Sequence, residues 1–300
     1  MKKFKQVVIV DPTGLRPWAL NELSEYSERP VRMHDTIPSG NDEIIQRIGD
    51  ADCVLVSWNS RIDAEVLTRC KQLVYVGMCC SLYSAESANV DIATANNNGI
   101  VVKGIRDYGD EGVVEFVISQ MIQLFKGVQG QQWQEEPVEL SKPKVGIIGL
   151  GTVGHMLADR LQAFGTSVCY YSRTRKESAE NAGIEYLPLS ELLERADVVS
   201  THLPRNTIVL NAREFKQFGD GKILVNTSLG VTFDQHEFSN WVKRPGNFAI
   251  FDEDGAIGIP SELLNRPNIA YSPIVAGWTS EAKDRLSTKV LDNIKAFHAG

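Results

Sequence analysis

Short apolar runs recur along the chain with polar, helix-compatible stretches between them. In the first part they are VVIV (7–10), VRMH (31–34), CVLVSW (53–58), LVYVGM (73–78) and GIVVKGI (99–105). This rhythm predicts parallel βα units. From Glu111 to Lys126 the period changes: Val114, Val117, Met121, Ile122 and Phe125 repeat at helical spacing with further apolar residues around them, which predicts a long, mostly buried helix. Periodicity then disappears between Gly127 and Lys144 into glycine, proline and polar residues, the expected hinge. A second series follows: KVGIIGLG (144–151), SVCYYS (167–172), DVVSTHLP (197–204), ILVNTS (223–228), NFAIFDE (247–253) and NIAYSP (268–273). It has the element count of a complete nucleotide-binding sheet. A closing helix is expected from about Thr279 to Phe297, with Leu286, Val290, Ile294 and Phe297 on one stripe.

At 300 residues, 43% hydrophobic and 23% charged, the composition is that of a globular protein of about two domains and excludes disorder or a coiled-coil rod. The net charge of −7 argues against a nucleic-acid or anionic-membrane partner. No apolar run reaches membrane-spanning length. The start, MKKFKQVVIVDPTG, is too briefly apolar for a signal peptide, and the five cysteines, an odd number set in apolar runs, fit reduced thiols; a cytoplasmic location is expected. The adjacent pair Cys79 and Cys80 has no metal-ligand spacing and the five histidines are scattered, so no metal site is expected. No Gly-x-Ser-x-Gly elbow is present for a hydrolase.

The segment from Lys144 to Ala158 supplies G-x-G-x-x-G directly after an apolar strand and directly before a helix. Gly149 permits the tight turn, Gly151 lets the backbone approach a pyrophosphate, and Gly154 allows close helix–strand packing. Free N–H groups at the helix start, from Thr152 and Val153 on, attract the anion. The end of the next strand selects the cofactor. It reads Tyr170-Tyr171-Ser172-Arg173-Thr174-Arg175-Lys176, with no carboxylate until Glu177 to accept the bonds of a ribose 2′-OH. NADP(H) is therefore expected in preference to NAD(H), with Arg173 and Arg175 facing the 2′-phosphate and Ser172 or Thr174 donating hydrogen bonds. A solvated basic loop is the plainer alternative.

At this point the chain resembles the D-isomer-specific 2-hydroxyacid dehydrogenase family over nearly its whole length. The residues that carry the likeness are LVYVGMCCSLYSAESANVDIATANNNGIVVKG, VVEFVISQMIQL, GQQWQ, GIIGLGTVG, STHLPRNTIVL, VNTSLGVTFD, AIFDEDG and NIAYSPIVAGWT, in family order. The resemblance implies an α/β fold class of two Rossmann- or flavodoxin-like doubly wound parallel-sheet domains with a cleft between them. The substrate and catalytic domain would be discontinuous, 1–110 plus 280–300, around a NAD(P)-binding domain at 111–279. It also implies a homodimer formed through the nucleotide-binding domain, and a cofactor lined by His202, Leu203, Pro204, Thr207, Thr227, Ser228 and Asp252.

Family members work with an Arg that clamps the 2-oxo acid carboxylate, a His that donates a proton to the carbonyl oxygen, and a Glu that supports the His. By motif the Arg falls on Leu229, the His on Ile274, and the Glu within Ala256 to Gly258, where no carboxylate stands. All three roles are vacant. Arg106 and Tyr108, beside Asp107 at the implied substrate mouth, and His202 in the nucleotide loop are the replacement candidates, with Glu253 or Asp254 as a further acid. A local salt bridge is the plainer reading of Arg106-Asp107, and cofactor lining that of His202. Trp58, Asn59, Cys79, Cys80, Tyr83 and Trp278 are expected to shape the pocket. Two functions fit this pattern: an oxidoreductase acting on an atypical, less acidic substrate, or a catalytically inactive NADP(H)-binding sensor or scaffold.

Overall fold

The computed structural model describes residues 3–128 and 130–299. The chain divides into two units, one built from the chain up to Tyr108 together with the segment from Thr279 onward, the other from Gly109–Trp278.

The first unit holds a five-stranded parallel sheet of order β2-β1-β3-β4-β5. Its strands are β1 (Val7–Ile9), β2 (Arg32–Met33), β3 (Cys53–Val56), β4 (Tyr75–Ser81) and β5 (Val101–Ile105), connected by helices α1 (Pro17–Ser24), α2 (Asn41–Ile48), α3 (Ala64–Arg69) and α4 (Ile92–Asn97). β1, β3 and most of β4 are buried, which is why they read as continuous apolar runs, whereas β2 is an exposed edge strand of two residues. β4 runs past the predicted Met78 to Ser81, so Cys79 and Cys80 belong to a buried strand.

The second unit is a seven-stranded parallel sheet of order β12-β11-β10-β9-β6-β7-β8. In chain order it comprises α5 (Asp110–Lys126), β6 (Val145–Ile148), α6 (Thr152–Ala163), β7 (Val168–Tyr171), α7 (Glu177–Asn181), β8 (Glu185–Tyr186), α8 (Leu189–Arg195), β9 (Val198–Thr201), α9 (Ala212–Phe218), β10 (Ile223–Asn226), α10 (Gln235–Val242), β11 (Phe248–Phe251), α11 (Ser261–Leu264) and β12 (Ile269–Tyr271). An apolar cluster covers each face of the sheet. One gathers Val117, Met121 and Phe125 of α5 against Leu157 and Leu161 of α6; the other gathers Phe215, Phe233, Phe238 and Trp241. Both faces of a parallel sheet must be covered, which explains the runs of apolar residues in β6, β9 and β10.

The expected hinge at 127–144 is not where the units divide. Outside Gln129, which is not among the described residues, this segment packs on the second unit. Gln131 Nε2 donates to the Ile269 carbonyl at 3.1 Å, Trp133 Nε1 to that of Gly221 at 3.0 Å, and Leu140 is buried in the core. Apolar anchors spaced too far apart for any period hold a strap that has no regular structure of its own.

The last helix, α12 (Ser280–Ala299), lies against β4 and β5 of the first unit. Phe297 stacks on Phe4 with ring centroids 5.3 Å apart, and Asn293 Nδ2 donates to the Gly104 carbonyl at 3.0 Å. Its Leu286, Val290 and Ile294 are buried. Among the described residues no helix is long and apolar enough to cross a membrane.

Candidate nucleotide and substrate sites

In the second unit the strand order reverses between β6 and β9, and crevices at the carboxyl ends of strands at such a point are where open α/β sheets bind ligands. The turn leaving β6 and the loop leaving β9 meet there. Gly149 adopts φ +97°, donates its N–H to the Tyr171 carbonyl at 2.8 Å, and would bring a Cβ within 2.2 Å of the His202 carbonyl oxygen. A Cβ on Gly154 would lie 2.2 Å from the Gly149 carbonyl oxygen, so α6 can sit this close to the turn only with glycine there. Gly151 faces open space, with nothing within 4 Å of a built Cβ, and no side chain caps the helix that Thr152 and Val153 begin. The fit to a pyrophosphate is good: room beside a glycine backbone and uncapped N–H groups.

A buried polar scaffold holds the neighbouring loops. The Thr201 hydroxyl donates to Asn226 Oδ1 at 2.9 Å, Thr232 donates to Thr201 Oγ1 at 3.0 Å, and Asn226 Nδ2 reaches the carbonyls of Gly230 and Gly255 at 3.1 and 2.9 Å. Sequence reading missed these residues, although polar side chains at the ends of apolar strands are the signal that points to them. Ser228 is part of the same scaffold: its hydroxyl accepts from the Leu203 N–H at 3.1 Å and donates to the Thr201 carbonyl at 3.2 Å. Thr227 differs, for its Oγ1 is buried with no hydrogen-bond partner among the described residues. Pro204 is exposed and Thr207 half-buried.

Three of the candidates have protein partners of their own. Asp252 is buried and spends one oxygen on the Gly255 N–H (2.8 Å) and the other on the Ala276 N–H (2.9 Å), so it fastens two loops together. His202 makes a 2.9 Å hydrogen bond through Nε2 with Ser200 Oγ, and burial pushes its imidazole down to about 4, so it is neutral near pH 7 and carries no proton to donate as imidazolium. Arg175 does not stand free in its loop: Nε donates to Glu180 Oε1 at 3.0 Å, a second nitrogen pairs with Glu180 Oε2, and the guanidinium lies 4.7 Å from the centroid of the Tyr186 ring. Ser172 is half-buried, Thr174 exposed, and Arg173 exposed with no partner among the described residues.

At the carboxyl ends of β10, β11 and β12 the chain exposes apolar side chains. Leu229 is 38% exposed, Ile257 53% and Ile274 56%. Main-chain bonds knit these loops, Gly230 N–H to the Asp254 carbonyl and Glu253 N–H to the Ile274 carbonyl, both at 3.0 Å. Asp254 is half-buried beside Asp252 and Glu253, and burial with these like charges pushes its carboxyl up to about 6 against the pull of Arg205. Trp278 donates its N–H to the Val275 carbonyl in the same region.

In the first unit the loop carrying Trp58 and Asn59 leaves the end of β3. Asp11, wholly buried, accepts from the Ser57 N–H and hydroxyl at 2.8 and 2.7 Å, and Asn89 Nδ2 donates to the carbonyls of Ser57 and Ser60. Cys80 Sγ lies 3.5 Å from Asn89 Oδ1. Cys79 is wholly buried within the sheet and its thiol pushed up by desolvation, so it lines no surface pocket. None of the five cysteines is in a disulfide, and all five are buried. Arg106 donates to the carbonyls of Leu82 and Tyr83 at 2.7 and 2.9 Å and lies over the Tyr83 ring, which makes it a clamp on that turn before it is an anion receptor. The Tyr108 phenol is pushed up by burial, against a hydrogen bond with Ser81, and keeps its proton at neutral pH.

These features can be set beside known proteins. The chain is 27% identical over 304 residues to a glyoxylate reductase of Korarchaeum cryptofilum, covering 94% of this chain and 90% of that one. It is 27% identical over 319 residues to a hydroxypyruvate reductase of Blautia hydrogenotrophica, covering 98% and 97%. An acyclic imino acid reductase solved in complex with NADPH and D-Arg shares the fold, with a TM-score of 0.80 at 22% identity over 98% of this chain and 97% of that one. Residues 116–276 match the family model described as D-isomer specific 2-hydroxyacid dehydrogenase, NAD binding domain. With that match over the unit whose glycine turn has just been described, the chain belongs to the D-isomer specific 2-hydroxyacid dehydrogenases, an NAD(P)-binding oxidoreductase family.

Proposed function

We propose that the protein is an NADP(H)-preferring oxidoreductase that acts at a CH–OH/C=O centre of a substrate less acidic than a 2-oxo acid. The observation that carries this reading is the exposure of Leu229 and Ile274 at the strand ends where the family's Arg and His fall. A bound carboxylate needs a charged partner, and an isobutyl group cannot replace it; apolar side chains there favour an apolar part of the substrate. The cofactor preference rests on Arg173, exposed and unpartnered among the described residues, and on the absence of a carboxylate before Glu177. Bound nucleotide supplies the hydride. Residues 111–279 hold it, with the Thr227 hydroxyl, buried and without a hydrogen-bond partner among the described residues, available to bond it; residues 1–110 with 280–300 carry the substrate. Arg106 is spent on two carbonyls and His202 is neutral, which leaves the phenol of Tyr108 as the proton donor of this reading. A cytoplasmic homodimer joined through the nucleotide-binding unit completes it.

The test is NADPH oxidation against 2-oxo acids, aldehydes and imines, with Tyr108→Phe expected to lower kcat while leaving NADPH affinity unchanged. Turnover of 2-oxo acids at the rates of the aldehydes would sink the substrate class. A second reading, an inactive NADP(H)-binding sensor, is favoured by the commitment of Arg106 to two carbonyls and by the neutral His202. Tight binding without turnover across the panel would select it.

A further inference from the structure

The loop from Ser172 to Lys176 is pinned at both ends. At its start the Tyr171 carbonyl accepts the Gly149 N–H, and at its end the Lys176 N–H donates to the Tyr170 hydroxyl at 2.7 Å. That hydroxyl, on a side chain wholly buried in the core, in turn donates a hydrogen bond to Glu180 Oε1 at 3.1 Å. Glu180 also holds Arg175 in a two-point contact, Nε on Oε1 and one terminal nitrogen on Oε2, and the Tyr186 ring centroid lies 4.7 Å from the guanidinium. Pairing with Arg175 and the Tyr170 bond hold the Glu180 carboxyl below its ordinary range, so the pair is charged at neutral pH. Of the two arginines that the basic loop presents, one is thus already neutralised by a carboxylate fixed on α7.

We propose that Glu180 is a specificity-determining residue that limits discrimination for NADP(H), by keeping Arg175 from the 2′-phosphate and leaving Arg173 to read it. The inference rests on the NADP(H) reading above. A 2′-phosphate brings close to two negative charges, against none for the 2′-OH of NAD(H), so any change in the local charge moves the two affinities apart. Removing the carboxylate charge leaves the loop one unit more positive and frees a planar five-donor fork. Glutamine suits the change because its carbonyl still accepts the Tyr170 proton, so the loop stays pinned.

The experiment is fluorescence titration of NADPH and NADH into the whole protein and three variants, with thermal melts as the check on folding. Glu180→Gln is expected to tighten NADPH roughly three- to tenfold at low salt, with NADH changed by less than about twofold and the gain shrinking as salt rises. Arg175→Met/Glu180→Gln removes the pair without changing net charge and is expected to stay within about twofold of the parent for both nucleotides. Unchanged or weakened NADPH binding in Glu180→Gln overturns the proposal. So does loss of NADPH preference in the double variant, since Arg175 would then touch the phosphate in the parent. Arg173→Ala separates the two levels. If it weakens NADPH while Glu180→Gln does nothing, the cofactor reading stands and the role of Glu180 falls; if it leaves the preference intact, both fall.

Discussion

The carbonyl oxygen of His202 stands 2.2 Å from the place a Cβ on Gly149 would occupy, and Gly149 itself holds φ at +97°. Two main chains therefore touch where the turn after β6 meets the loop after β9. Gly149→Ala must both force these apart and place a side chain in a backbone region that favours glycine, at an expected cost of about 2–4 kcal/mol. Gly151 has φ −81° and open space around it, so Gly151→Ala is expected to leave the melting temperature near that of the parent and yet to weaken nucleotide binding. Thermal melts paired with NADPH titrations check the contrast. Equal stability of the two variants would show that the close approach at Gly149 is not a constraint.

His202 gives a pH signature. Its folded value of about 4 lies below the ordinary 6.5, so on acidification the unfolded chain takes the proton first. Stability from this residue is complete above about pH 6.5 and is lost as pH falls toward 4. His202→Asn should flatten the stability profile in that window, read from urea midpoints at each pH. An NMR titration should show the ring protons of His202 moving near pH 4; a step near 6.5 would contradict the buried, neutral imidazole.

Asp252 offers a test of structure against cofactor contact. Each of its oxygens receives one backbone N–H, from Gly255 and Ala276. Asp252→Asn puts an NH₂ where an acceptor is needed and strands one buried donor, which costs about 1–3 kcal/mol. The expected result is a lower denaturation midpoint with NADPH affinity of the folded protein unchanged. Lost affinity at unchanged stability would return Asp252 to the cofactor's own contacts.

How far these sites could be read in advance depended on whether the signal was local. The βα rhythm and the glycine turn are local, because a buried parallel strand is an apolar run and a tight turn with close approach demands glycine at Gly149 and Gly154. The seven-stranded sheet shows where such signals run out: β8 is only Glu185–Tyr186, too short to carry a period. Commitments made by tertiary structure were invisible. Nothing in the string RTRKESAEN shows that Arg175 folds onto Glu180, and nothing around Asp252 reveals that its two acceptors are spent on Gly255 and Ala276, the latter a distant backbone N–H. Cys79 misled for the same reason: its strand runs on into what reads as a loop. In each case a residue type proper to a site was in place, and a hydrogen-bond partner or burial set by the fold had already engaged it.

The sharpest prediction concerns the positions that the proposed function reads as vacant. Leu229, Ile257 and Ile274 stand exposed on loops already held by the Asn226 scaffold and the Glu253–Ile274 main-chain bond, so charged replacements meet little steric resistance and should cost no more than about 0.5 kcal/mol each. On that reading Leu229→Arg supplies a cation for a substrate carboxylate, and Ile274→His with Ile257→Glu, at the middle of the Ala256 to Gly258 segment, supplies a proton donor and a carboxylate to support it. A donor alone is worth about 10²–10⁴ in rate. The triple variant is therefore expected to reduce glyoxylate or hydroxypyruvate with NADPH at least about 10²-fold faster than the parent, and Leu229→Arg alone to lower KM more than it raises kcat. The measurement is steady-state NADPH oxidation on both acids. A triple variant no faster than the parent would mean that the apolar residues are not what separates this chain from 2-oxo acid chemistry, and that the divergence lies in how its loops hold the substrate.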